Sequence, residues 1–317
     1  AAAVRRTSPR AAAPTSTPST TPSTPRRRFC GRYSGRGAGL STRRAVTGTD
    51  GVRSLEPLGG RMPTVSRDGV DVHYATEGTG ETVAFVGDAG YGAWQWGWQH
   101  AAVAGPYRSL VTDLRGAGRS AGGSGIDGVD DLAGDFAAVL ADAGVDAAHV
   151  VGAGLGGMVA LRAAESTSRV SSLTLIGTAA RGEGLDLDPL WADPDDPDAL
   201  ERSVAAGVSD AFVDAHPDAV ERIVAWRGAE DATRPTFEAH AAAVASFDVA
   251  DRLYTITQPA FVIHGGDDAV WPPARGAALA EGLPRGEFRE ADGAGHLVHV
   301  EASRRVNDDL LGFLDGV

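Results

Sequence analysis

Between His149 and Met158 the chain reads His149-Val150-Val151-Gly152-Ala153-Gly154-Leu155-Gly156-Gly157-Met158, with four glycines packed between a strand-like and a helix-like segment. Glycines at that density mark a tight strand-to-helix turn whose backbone is approached closely by something else. Two arrangements demand such a turn. Gly152, Gly154 and Gly157 form a literal G-x-G-x-x-G, in which pyrophosphate reaches a helix N-terminus. Gly152 and Gly156 equally form the frame of G-x-S-x-G, a sharp turn that presents a nucleophile at its third position. On that second reading the nucleophile slot holds Gly154, which has no side chain.

The surroundings decide between them. From Thr64 onward strand and helix signals alternate. Strands are predicted over Val70–Ala75, Thr82–Val86, Tyr107–Asp113, His149–Val151, Val170–Ile176, Ala260–His264 and Glu287–Glu290. Helices are predicted over Leu132–Ala143, Gly157–Glu165, Ala274–Leu283 and Ala302–Leu314. Such alternation specifies an α/β fold, with a mostly parallel central sheet and helices on both faces. Between Ala179 and Asp248 the pattern turns to acidic helical segments broken by Pro189, Pro194, Pro197, Pro217 and Pro235, which reads as a helical cap inserted at one end of the sheet. A dinucleotide loop normally opens its βαβ unit and has an acidic residue at the end of the next strand. Here the glycines lie behind several strands, and the next strand ends Leu175-Ile176-Gly177 with no acid. A flavin or nicotinamide site through the GAGLGG loop is therefore the weaker reading, and no cofactor is expected.

Three further segments resemble the α/β-hydrolase fold superfamily in its esterase and enol-lactonase branch, in the order that family uses. Asp113-Leu114-Arg115-Gly116-Ala117-Gly118-Arg119-Ser120 is similar to its D-x-R-G-x-G-x-S loop. His264-Gly265-Gly266-Asp267-Asp268 resembles the H-G-x-x-D turn that supplies the acid of a catalytic triad. Gly295-His296, followed by Val300-Glu301, resembles the segment that supplies its histidine. Together with the glycine turn, the resemblance covers nearly all of 64–317. It implies the α/β-hydrolase fold and assigns Asp268 and His296 as acid and histidine, with Asp267 a rival acid one residue off the usual spacing. His299 is expected to pack or to start a helix.

Two departures from the family pattern bear on chemistry. The first is Gly154: loss of a triad nucleophile costs on the order of a million-fold in rate, while the strained geometry of the turn suits glycine. The second follows the third strand, where the family has His-Gly and this chain has Gly87-Asp88-Ala89. Backbone N–H groups of Ala89 and Leu155 are the expected oxyanion donors. Asp88 puts a carboxylate beside them, either to position water or simply to cap a turn. Trp94, Trp96, Trp98, Trp191, Trp226 and Trp271 suggest an apolar pocket wall, core packing being the plain alternative. These features predict a hydrolase of a small apolar ester or lactone in which Asp268 and His296 activate water without a serine. The alternative is a non-catalytic relative that binds a small apolar ligand.

Charge narrows the partners. Residues 1–61 carry twelve Arg against two acids, and residues 62–317 carry seventeen Arg against forty acids, with no Lys anywhere. So acidic a domain repels polyanions, which argues against nucleic acid, and no apolar run approaches the roughly 20 residues of a membrane span. It also suits a salt-rich cytoplasm, where the Debye length falls to about 3 Å at 1 M. Residues 1–61 form a Pro/Ser/Thr/Arg-rich tail expected to be disordered; translation starting at Met62 is an equal reading. Neither Arg5-Arg6 nor Arg43-Arg44 is followed by an apolar segment, so an export signal is not expected. The lone Cys30 excludes an intrachain disulfide. Nothing in the sequence speaks to oligomeric state.

Overall fold

The computed structural model describes residues 63–123 and 125–317, so the expectations for residues 1–61, for Met62 and for Cys30 lie outside the described residues. Eight strands form one sheet: β1 (Thr64–Arg67), β2 (Val70–Glu77), β3 (Thr82–Val86), β4 (Arg108–Thr112), β5 (Ala148–Ala153), β6 (Val170–Ile176), β7 (Ala260–Gly265) and β8 (Gly286–Ala291). Their order is β1-β2-β4-β3-β5-β6-β7-β8. The pairs β1/β2 and β2/β4 are antiparallel and the rest are parallel. The central strands are buried along their whole length, and their unbroken apolar runs follow from helices covering both faces.

Side-chain alternation divides the core in two. Ala84, Val86, Val150, Leu173, Leu175 and Val262 face one side and pack with α2 (Val129–Asp142), α3 (Leu155–Ser166) and α8 (Pro273–Gly282). Val83, Phe85, Val151, Ala153, Ile176 and Ile263 face the other, against α1 (Gly97–Val103), α9 (Val298–Glu301) and α10 (Ser303–Leu314). Phe85 is fully buried there, so truncation to alanine should cost about 3–5 kcal/mol.

Between β6 and β7 the chain inserts α4 (Pro197–Gly207), α5 (Asp210–Ala215), α6 (Pro217–Glu230) and α7 (Arg234–Ser246). Prolines that look like breaks in the sequence are helix starts: Pro197 and Pro217 open α4 and α6, and Pro235 lies in the first turn of α7. A proline there lacks only an N–H that would be unpaired anyway. Hydrogen bonds tie the insertion to loops at the C-terminal ends of the strands. The N–H of Leu297 donates to the carbonyl of Gly207 (2.7 Å), and that of Ala232 donates to the carbonyl of Gly90 (2.8 Å).

The topology fixes where loops meet. From β3 the chain goes to β4 on one side and later to β5 on the other, so the strand order switches between β3 and β5. Loops leaving such strands diverge and open a crevice at their C-terminal ends. Register brings Val86 opposite Gly152, which places Asp88 and Gly154, each two residues further on, in the same corner.

Candidate active site

Gly154 links β5 to α3 with φ 49° and ψ −116°, a left-handed conformation that glycine adopts without a Cβ penalty. Gly156 is required for a different reason: a Cβ there would press into the carbonyls of Val86 and Gly87. The turn is thus the sharp strand-to-helix elbow of the second motif. At Gly154 a Cβ would collide with the carboxylate of Asp88. The place of an elbow side chain is filled from another loop.

Asp88 is 1% exposed. Its Oδ1 accepts from the N–H of Ala89 (2.7 Å) and of Leu155 (2.8 Å), the two donors expected to hold an oxyanion. Leu155 is the first residue of α3, so the carboxylate also meets the positive end of that helix. Its Oδ2 accepts from Nε2 of His296 at 2.8 Å. Every partner named is a donor, as an ionised carboxylate requires. The turn-capping reading of Asp88 is met in part, since it caps its own turn, yet it also reaches the elbow and the histidine. The amides of Ala89 and Leu155 hold Asp88 where a bound carbonyl was expected. A pyrophosphate at α3 would meet the same carboxylate, an anion facing an anion.

On its other side His296 donates from Nδ1 to Oδ2 of Asp268 at 2.8 Å. Asp268 sits in the loop after β7 and His296 in the loop after β8, so adjacent parallel strands bring them together. The N–H groups of Val270 (3.0 Å) and Trp271 (2.8 Å) donate to Asp268 Oδ1, and Nε2 of His264 lies 3.2 Å from Oδ2. Burial pushes the Asp268 carboxyl up, but His296 and these donors outweigh it and hold the group below the usual carboxylate range. Asp267, the rival acid, is exposed. Burial likewise pulls His296 down, while Asp268 and then Asp88 outweigh it and raise the imidazole to about 10. With Asp88 charged, His296 is a cation, an acid rather than the base that water activation needs. The expected base role thus requires that the charge of Asp88 first be removed or displaced.

The remaining predictions sort by place. Trp271 stacks on His296 with centroids 5.9 Å apart, and Trp191 packs on Phe237, whose ring lies against Gly90. Trp96 lies in the other core, against Phe85 and His299, so it is no pocket wall. Trp98 pairs with Trp226, and Trp94 donates to Asp231 (2.9 Å). His299 packs as expected, and burial, aided by the charge of His296, pulls it down to about 3. The Asp113–Ser120 loop is tied to α2 and to itself: Arg115 forks onto Asp135 of α2 through Nε (2.7 Å) and Nη2 (2.6 Å), and Ser120 Oγ donates to the carbonyl of Asp113 (2.9 Å).

One positioning residue escaped the sequence reading. His240 of α7 accepts from the N–H of Gly90 at Nδ1 (3.0 Å) and donates from Nε2 to the carbonyl of Arg115 (3.1 Å). Burial pulls its imidazole down to about 4, which keeps it neutral and able to do both. The turn that carries Asp88 is thereby pinned to the inserted helices. A histidine on the buried side of α7 was the only signal, and it resembles ordinary packing.

Residues 89–303 match the family model described as the alpha/beta hydrolase fold. The chain belongs to the α/β-hydrolase family. It is 29% identical to a putative carbamate hydrolase, RutD, from Azorhizobium caulinodans, over 80% of this chain and 98% of that one. It is 31% identical to a 2-hydroxy-6-oxononadienedioate/2-hydroxy-6-oxononatrienedioate hydrolase from Burkholderia vietnamiensis, over 84% and 99%. Among solved structures it is similar to Est816, described as an N-acyl homoserine lactone degrading enzyme, with TM-score 0.70 and 27% identity over 79% of this chain and all of that one. Among the described residues no helix is long and apolar enough to cross a membrane.

Proposed function

We propose that this α/β-hydrolase hydrolyses a small apolar molecule, with Asp268 and His296 activating water in place of a serine at the elbow. The buried Asp268–His296 pair, whose Nε2 faces the carboxylate of Asp88 that the amides of Ala89 and Leu155 hold, carries this reading. It is the part of a triad that fixes an imidazole and moves protons. Esters and lactones are the first substrates to try, in keeping with the names of the carbamate hydrolase and the lactone-degrading enzyme. A substrate carbonyl must then displace Asp88 from both amides, and that displacement also frees Nε2 of His296 to become a base.

The second reading, a non-catalytic ligand binder, draws on that same occupancy, because Asp88 satisfies the amides and the histidine without any substrate. Hydrolysis of short-chain esters and lactones by wild type and His296→Ala separates the two. The hydrolase reading expects turnover that the variant loses; equal rates on every substrate would contradict it. We further read the acidic, lysine-free domain as adapted to a salt-rich cytoplasm. Its melting temperature should then rise between low and molar KCl.

A further inference from the structure

We propose that Asp88 is itself the nucleophile, attacking a saturated carbon that bears a leaving group such as a halide. The inference rests on the hydrolase reading's water-activating Asp268–His296 pair and puts an alkyl halide in place of its ester or lactone.

The two oxygens of Asp88 have different work. Oδ1 is fixed by the N–H groups of Ala89 and Leu155, while the partner of Oδ2 is Nε2 of His296. No cation of Arg type is paired with this carboxylate among the bonds that hold it, so its charge rests on hydrogen bonds and on imidazolium. Gly154 leaves the space that the carboxylate takes. Tyr91, Leu190, Phe237 and Trp271 belong to the same apolar cluster as Ala89 and Leu155, which suits an uncharged carbon chain.

The position of Oδ1 selects the substrate class. Attack on a carbonyl would put negative charge on the substrate's oxygen, which needs the two amides that Oδ1 already holds. Attack on a saturated carbon creates no such oxyanion. Oδ2 forms the new C–O bond, the carbon–halogen bond breaks, and the halide leaves with its electron pair. Asp88 becomes a neutral alkyl ester. His296, no longer facing that charge, gives up its Nε2 proton with the departing halide.

The amides act in the second step. Water attacks the ester carbonyl carbon while Nε2 of His296 takes its proton, and the developing oxyanion is Oδ1, already held by Ala89 and Leu155. Collapse returns that proton to the departing alkoxide oxygen. The carboxylic acid left behind gives its own proton to His296. Alkyl halide and water have become alcohol and hydrogen halide, and the protein has returned to its starting charges. One oxygen of Asp88 now comes from water.

The test uses the full chain, 1-bromobutane and oxygen-18-enriched water. Over many turnovers the wild type should release bromide and butanol, and the proteolytic peptide containing Asp88 should gain heavy oxygen. His296→Ala should stall after the first step with one butyl group on that peptide. Asp88→Asn, with its fold checked by thermal unfolding, should lose bromide release by on the order of a thousand-fold or more. Butanol formed while the Asp88 peptide stays unlabelled overturns the proposal, and so does a wild type that releases no bromide. If esters or lactones are hydrolysed in a manner dependent on His296, without label in Asp88 or bromide release, the hydrolase reading stands and this inference falls. If neither class reacts, both fall.

Discussion

The two halves of the site differ in how far they depart from the family pattern. In the β7–β8 half, the two motifs bring Asp268 and His296 to 2.8 Å, and the N–H groups of Val270 and Trp271 add donors to Asp268. In the β3–β5 half the elbow turn is kept but its side chain is gone, and a carboxylate from the neighbouring loop fills the corner. The difference teaches that a turn and its cargo are separable. Strand register and close packing at Gly156 preserve the turn, whereas the side chain that reaches the corner depends on which loop has room to supply one.

The largest effect expected from perturbing the first half is that of Asp268→Asn. An amide there can no longer stabilise imidazolium and favours the wrong tautomer, so turnover should fall on the order of a thousand- to ten-thousand-fold. Asp267→Asn on the same substrate should leave the rate within about twofold and stability within about 0.5 kcal/mol. Comparable losses from both would blur the distinction between the acids. Removing His296 leaves Asp88 and Asp268 buried without the cation between them. His296→Ala should therefore lower unfolding free energy by about 3–5 kcal/mol in a denaturant titration.

The pH dependence of stability separates the site from its neighbours. His296 is raised in the fold, so its contribution is complete below the unfolded value of about 6.5 and is lost as pH rises through about 10. His240 and His299 are depressed to about 4 and about 3, so their contribution is present above about 6.5 and is lost as pH falls toward those values. Urea midpoints against pH should thus fall on both sides, and His296→Ala should flatten the alkaline side, with a smaller change on the acid side because His296 also acts on His299 and Asp268. A smaller effect is expected at the pin: His240→Ala leaves the N–H of Gly90 and the carbonyl of Arg115 unpaired, at about 1–3 kcal/mol.

Much of the fold was legible because buried strands are short apolar runs. Thr82–Val86 and Val170–Ile176 are strands over just those residues. The edge strand β1 was not delimited, because Thr64–Arg67 alternates only between half-buried and exposed positions. The short α1 has too few turns to show a period. In the site, Asp268 and His296 were legible because each lies in a local motif. The bonds of Asp88 to Leu155 and His296 were not, since they join loops from strands far apart in sequence. Because that long-range contact occupies the corner, a serine at position 154 would meet the carboxylate of Asp88.

A double-mutant cycle on stability tests that occupancy most directly. Gly154→Ser, Asp88→Gly and the two combined are unfolded in urea beside the wild type. If Asp88 fills the corner, Gly154→Ser alone is strongly destabilised, and adding Asp88→Gly recovers part of the loss, with a coupling of about 1–3 kcal/mol. If the two changes simply add, the carboxylate does not occupy the space above Gly154 and the account of this site is wrong.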